Sequence, residues 1–182
     1  MDQGLIPRRY AKALYRAAVD KGCQQELYAK MQLLGDAFAA EPKLGETMRN
    51  PFVADADKAQ LILAAAQAGD KTPLLADFVK LLEQNGRIGM VRDIAAAYCL
   101  IYRKESNIYR VEVVSAAAMD PAQEERLKQL ILSHLRGGSM EYTSRIDSSL
   151  IGGFVVNIDN ERLDASVKNE LKQLRLKLLS NK

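Results

Sequence analysis

The sequence predicts an α+β protein: an N-terminal six-helix bundle followed by a small α/β domain. Three observations carry this expectation. From Pro7 to Glu105, apolar residues recur at three- and four-residue steps in six segments joined by short links, with no strand signal among them. After Ser106 the period changes to short runs of Val, Ile and Tyr interleaved with polar residues. The stretch Leu150 to Leu174 then holds two glycines, an apolar strand, a polar turn, a second short strand and a helix start. The boundary is placed at Glu105 to Asn107, which divides the chain into domains 1–105 and 106–182.

Pro7 suits the first turn of a first helix, Ala11, Leu14 and Ala18 share its inner face, and Gly22 stops it. A second helix, Gln24 to Ala40, carries Leu27, Met31, Leu34 and Phe38 and ends at Pro42. A short third, Leu44 to Arg49, stops before Asn50-Pro51, because the residue preceding proline is pushed out of the α region. Asp55 or Asp57 caps a fourth, which runs through Leu61 to Ala66 and ends near Gly69. Thr72-Pro73 reads as N-cap and first turn of a fifth, striped with Leu74, Leu75, Phe78, Leu81 and Leu82 up to Gly86. The sixth spans Gly89 to Glu105.

In the second domain Ile108 to Ser115 is a strand, and Asp120-Pro121-Ala122-Gln123 starts a helix that reaches Leu135. Met140 to Ile146 and Phe154 to Ile158 are further strands. Asp159-Asn160 turns the chain, Leu163 closes a second short strand, and Asp164 or Ser166 accepts the first free N–H groups of a last helix, Val167 to Leu179. That helix places Val167, Leu171, Leu174 and Leu178 on one face. Gly152 and Gly153 stand at a strand entry, where absent side chains permit positive φ or a close backbone approach.

Charge and apolar content exclude several classes. Residues 1–105 hold 15 basic and 13 acidic side chains, and residues 106–182 hold 11 and 10, without the asymmetry of a nucleic-acid binder. The longest apolar run, Ile94 to Tyr102, is nine residues, against the roughly 20 that cross a bilayer. The first eight residues lack an apolar signal core, so a cytoplasmic protein is expected. Cys23 and Cys99 are too few for a disulfide framework or a zinc site, and two free thiols are expected.

Catalytic chemistry is nearly absent. His134 is the single histidine and falls late in a predicted helix, where a cation favours the terminal carbonyls. The pairs Gly137-Gly138 and Gly152-Gly153 lack the lysine and hydroxyl ending of a phosphate loop and read as turns. Glu124-Glu125 and Asp55/Asp57 stand at helix starts, where they complement the dipole. Asn50-Pro51-Phe52 reads as a helix-to-helix turn. No catalytic residue, cofactor, metal or small-molecule substrate is expected.

What remains is surface for partner helices. Tyr10, Ala13, Leu14 and Ala17 share one face of the first helix, and the small residues admit a close neighbour. Leu75, Phe78, Val79 and Leu82 form a matching stripe on the fifth. Spacing alone leaves two readings open for these eight: internal core, or a groove for a partner.

The stretch Leu150 to Leu174 resembles the C-terminal signature of the delta subunit of bacterial F-type ATP synthases, the family of the mitochondrial oligomycin-sensitivity-conferring protein. Arg8-Arg9-Tyr10-Ala11-Lys12-Ala13-Leu14 resembles the family's opening helix, and Asn85-Gly86-Arg87-Ile88 its link between fifth and sixth helices. Asn50-Pro51 and Val114-Ser115-Ala116-Ala117 fall where it has a helix stop and a strand end. Ser106-Asn107 stands where many members have a glycine, and Arg136-Gly137-Gly138-Ser139 replaces a more usual glycine-lysine turn.

The resemblance implies a non-catalytic stator subunit on the cytoplasmic face of the membrane, peripheral to it, supporting proton-driven ATP synthesis. It implies that the groove between the first and fifth helices takes the N-terminal helix of an alpha subunit of the catalytic head. It also implies that domain 106–182, with its structural turn at Gly152-Gly153, holds the end of the peripheral-stalk b subunits. The alternative is a helical-bundle adaptor for nucleic acid or other protein helices, which near-neutral charge and missing readout motifs disfavour.

Overall fold

The structure, a computed structural model, describes residues 4–68, 72–135 and 137–180. The expected end of the fourth helix at Gly69 and the Arg136 position of the second glycine turn lie outside the described residues. The chain divides into two compact units, Met1–Glu105 and Ser106–Lys182. Among the described residues it is an α+β protein with eight α-helices and a four-stranded mixed sheet.

The first unit consists of α1 (Leu5–Asp20), α2 (Gln24–Ala40), α3 (Pro42–Arg49), α4 (Asp55–Ala65), α5 (Pro73–Gln84) and α6 (Val91–Glu105). α1 and α2 pack along α6, while α5 packs along α4. The core is the inner stripe of each helix: Leu27, Met31 and Leu34 of α2, Ile62 of α4, Leu75, Val79 and Leu82 of α5, and Ile94 and Tyr98 of α6 are all fully buried. The Tyr98 hydroxyl resolves its burial by donating to the Gln24 carbonyl at 3.2 Å. Desolvation holds its pKa far above the ordinary tyrosine value, with the neighbouring Cys23 and Tyr15 adding to the effect.

Helix ends correct the expected caps. Asp55 does not cap α4, whose N-cap is Ala54; Asp55 opens the helix and pairs with Lys58 at 3.0 Å. Thr72 occupies the N-cap position of α5, but its buried hydroxyl accepts nothing from the first turn. Gly86 at φ +61° ends α5, and the segment expected to begin the sixth helix is a 3-10 turn, Ile88–Met90.

The second unit is ordered β2-β1-β3-β4, from β1 (Ile108–Ser115), β2 (Ser139–Ile146), β3 (Gly153–Ile158) and β4 (Glu161–Ser166). β1 and β2 are parallel, so they require a crossover, and α7 (Pro121–His134) supplies it. Here the expected cap is present: the N–H of Ala122 reaches Asp120 Oδ1 at 3.4 Å. Ile131 and Leu135 close over Val111, Val113 and Val156 on one face of the sheet, and Val114, Leu150 and Val155 form a smaller cluster. β3 turns into β4 antiparallel, pairing Gly153 with Ser166, and α8 (Val167–Ser180) follows directly. Asp164 and Ser166 share the start of α8. Ser166 Oγ donates to Asp164 Oδ1 at 2.6 Å and accepts from the Asn169 N–H at 3.2 Å. Asn107, in the turn just before β1, has φ +51°, a conformation that asparagine tolerates better than most residues.

Candidate functional site

In the first unit the eight residues of the two stripes separate. Leu14 is buried against the core, and so are Leu75, Phe78, Val79 and Leu82 of α5. In the chain by itself these five pack inward between the helices. The accessible part lies on α1: Ala13 is exposed, and Tyr10 and Ala17 are half-buried. Burial follows the helical period, since Ala11, Leu14 and Ala18 recur at three and four residues and face inward, which turns Ala13 and Ala17 toward the other side.

Tyr10 joins α1 to α5 and to the link beyond it. Its ring meets Phe78 edge-on, with centroids 6.3 Å apart at 66°. Arg87 Nη1 donates to the Tyr10 hydroxyl at 2.7 Å, and the guanidinium carbon lies 5.5 Å from the ring centroid. The Arg87 role was missed by periodicity, because a link residue belongs to no stripe; its place in Asn85-Gly86-Arg87-Ile88 was the only signal. Elsewhere in the unit Tyr28 stacks on Tyr102 at 4.2 Å and accepts from Arg103 and Gln32, both at 2.9 Å, which braces α2 on α6.

In the second unit Gly153 is required by the backbone, and Gly152 gives room to a neighbouring side chain. Gly153 has φ +74°, and a Cβ there would run into the Ala165 carbonyl of β4. At Gly152 a Cβ would stand 2.9 Å from Val167 Cγ2. The Gly152 carbonyl accepts the Val167 N–H at 3.0 Å, and the Gly153 carbonyl accepts that of Ala116 at 3.2 Å. The two glycines thus fasten β3 to the end of β1 and to the β4–α8 junction. Beside them, Met119, Leu127, Leu130, Ile151 and Phe154 line an open, mainly apolar cavity of about 600 Å³. Ile151 is exposed at φ +69°, an unfavourable conformation for a β-branched residue.

The sheet also carries a polar cluster on β1, β2 and β3. Arg145 Nε pairs with Glu112 Oε1 at 2.9 Å, and Asn157 Nδ2 donates to Glu112 Oε2 at 3.0 Å. Hydrogen bonds from Arg145 and Asn157 hold the Glu112 carboxyl below the usual glutamate range. His134 is exposed at the end of α7, Cys23 is half-buried and Cys99 buried, and no group of three metal-ligating side chains occurs among the described residues.

The described residues thus form a helical unit with an accessible small-residue face on α1 and an α/β unit with exposed apolar surface. Comparison with known sequences places the chain further. The chain belongs to the ATP synthase delta (OSCP) subunit family, whose description matches residues 6–178. It is 36% identical over 182 residues, the full length of both chains, to ATP synthase subunit delta of Parabacteroides distasonis. Identity to ATP synthase subunit delta of Bacteroides thetaiotaomicron is 34%, covering 96% of this chain and 94% of that one. The fold is shared with a chain in the cryo-EM structure of the Toxoplasma gondii mitochondrial ATP synthase hexamer, at a TM-score of 0.74 and 23% identity, covering 95% of this chain and 97% of the other.

Proposed function

We propose that the protein is the stator clamp of an F-type ATP synthase, tying the peripheral stalk to the catalytic head so that the head does not turn with the rotor. The observation that carries this reading is the family match across both units, from residue 6 to residue 178. The subunit is structural, and its task is to stay bound under torque, which demands contact area rather than chemistry.

In this reading the six helices of residues 1–105 act as one bundle. Its accessible α1 face, with Tyr10, Ala13 and Ala17, takes the N-terminal helix of an alpha subunit, while Leu14, Leu75, Phe78, Val79 and Leu82 keep α1 and α5 in place from within. Residues 106–182, shaped by Gly152 and Gly153, hold the b subunits. Support comes from the small side chains on α1, which admit a close helix, and from the unburied apolar surface of the second unit. No described helix is long and apolar enough to cross a membrane, and attachment at the cytoplasmic face follows from the stalk. Affinity capture of the tagged full chain from solubilised membranes tests the assignment: alpha and b subunits co-purify, and recovery of neither overturns it.

A further inference from the structure

A cavity of about 450 Å³ opens in the helical unit where the end of α2, α3 and the start of α6 meet. Phe38 and Met48, 5% and 3% exposed, are its apolar floor. Arg49 and Arg92 also line it, both exposed, and among the described residues neither guanidinium has a hydrogen bond or an ion pair. Arg49 complements the carbonyl end of α3, but Arg92 falls in the first turn of α6, where a cation opposes the helix dipole. Helix electrostatics therefore do not account for Arg92. Asp93 is unpaired as well, so the lining carries two cations and one carboxylate.

Two glycines share this cavity and differ. At Gly89 a Cβ would already touch the Met48 carbonyl at 3.4 Å, whereas at Gly45, inside α3, it would meet nothing within 4 Å. Neither crowding nor a positive φ explains Gly45, and glycine inside a helix is disfavoured against alanine. Its effect is to leave the cavity open.

Guanidiniums only donate, and two of them beside one apolar floor match an anion with several acceptor oxygens on a flat apolar body. A cavity of this size suits one small organic molecule. A phosphate monoester offers three terminal oxygens, enough for both arginines, and as a dianion it meets two cations against the single carboxylate of Asp93. We propose that the cavity binds a small phosphate monoester of an aromatic compound, its phosphate held by Arg49 and Arg92 and its ring resting on Phe38 and Met48.

Phenyl phosphate, inorganic phosphate and phenol are titrated separately into the full chain. Phenyl phosphate binds at least about tenfold tighter than either fragment, because it engages both parts of the site at once. Arg49→Gln and Arg92→Gln each weaken it by about fivefold or more, while Arg16→Gln, at an exposed arginine of α1, changes nothing. Asp93→Asn has the opposite sign and tightens binding, since it removes the only carboxylate of the lining. Gly45→Leu fills the cavity and abolishes binding, with a melting temperature no lower than that of wild type. Unchanged affinity in both cavity-arginine variants, or in Gly45→Leu, overturns the inference, and so does wild type that fails to bind phenyl phosphate at about 10 mM. A phosphotyrosine peptide that binds at least about tenfold tighter than phenyl phosphate overturns it in favour of a protein partner. The stator reading is independent of every one of these outcomes.

Discussion

Arg87 and Tyr10, 77 residues apart, meet through both faces of their chemistry: a 2.7 Å hydrogen bond from guanidinium to hydroxyl, and a cation set over the same ring. The contact bolts α1 to the link between α5 and the 3-10 turn, while Phe78 braces the ring from α5. One aromatic side chain therefore ties three parts of the helical unit together at the end of the face that Ala13 and Ala17 continue.

Arg87→Ala removes both contacts and lowers stability by roughly 1 kcal/mol, because exposed cation–π pairs contribute about 0.5–1 kcal/mol and a hydrogen bond a similar amount. Tyr10→Phe keeps the ring under the guanidinium and costs less. Urea unfolding of both variants checks the order, and equal losses would show that the hydrogen bond alone matters.

Ala17→Glu and Ala13→Glu test the α1 face. Ala13 is exposed and Ala17 half-buried, so the helix accommodates either carboxylate, while a partner helix pressed against them meets an unpaired charge that typically costs several kcal/mol to bury. Titration with a peptide of the alpha subunit's N-terminal helix reads a steep loss of affinity with the circular dichroism of the fold retained. Unchanged affinity in both variants removes this face from the head contact.

Neighbouring leucines of α5 separate core from surface. Leu82 is fully buried and Leu81 44% exposed. Leu82→Ala should cost about 2–5 kcal/mol through transfer and cavity terms, and Leu81→Ala no more than about 0.5 kcal/mol. Denaturant midpoints decide it.

Much of this was legible beforehand, and the parts that were not share a cause. α2 lies at Gln24–Ala40 and β1 at Ile108–Ser115, where period and turn residues set them. Period assigns a residue to a face but says nothing of what covers that face. Leu75 and Leu171 therefore looked alike, though one is enclosed by helices and the other stands in water. At α4 the expected cap gave way to a competing partner, since Asp55 found Lys58, whereas Asp120 and Ser166 accept the helix N–H groups expected of them. Ile151 was unreadable, since a β-branched residue is the last expected at positive φ.

Glu112 makes the stability of the sheet pH-dependent. Its folded pKa lies below the unfolded value of about 4.3, so its contribution is present above that pH and fades as pH falls through the lower folded value. The site is solvent-exposed, which limits the effect to at most about 1 kcal/mol. Glu112→Gln should therefore be slightly less stable than wild type at neutral pH and converge with it in acid. A constant difference across an acid titration of melting temperature would contradict the assignment.

Ile151 and Gly153, two residues apart, should respond to substitution with opposite signs. Gly153 has φ +74° and no room for a Cβ against the Ala165 carbonyl, so Gly153→Ala combines backbone strain with a steric clash and should cost more than the ~0.4–1 kcal/mol such a change gives at a compatible site. Ile151, at φ +69° and ψ −40°, sits in a sparsely populated backbone region that costs on the order of 1–3 kcal/mol, a penalty that glycine would not carry. Glycine loses about 0.5–1 kcal/mol of that in chain entropy, so Ile151→Gly should come out neutral to mildly stabilising. Because Ile151 is also 68% exposed at the lip of the apolar cavity, removing its side chain takes away contact surface without loosening the fold. Paired melting curves and b-subunit titrations on the two full-length variants measure this. Gly153→Ala should melt earlier and hold the stalk less well, whereas Ile151→Gly should melt no earlier than wild type. A large destabilisation by Ile151→Gly would mean that the isoleucine side chain anchors the turn from within.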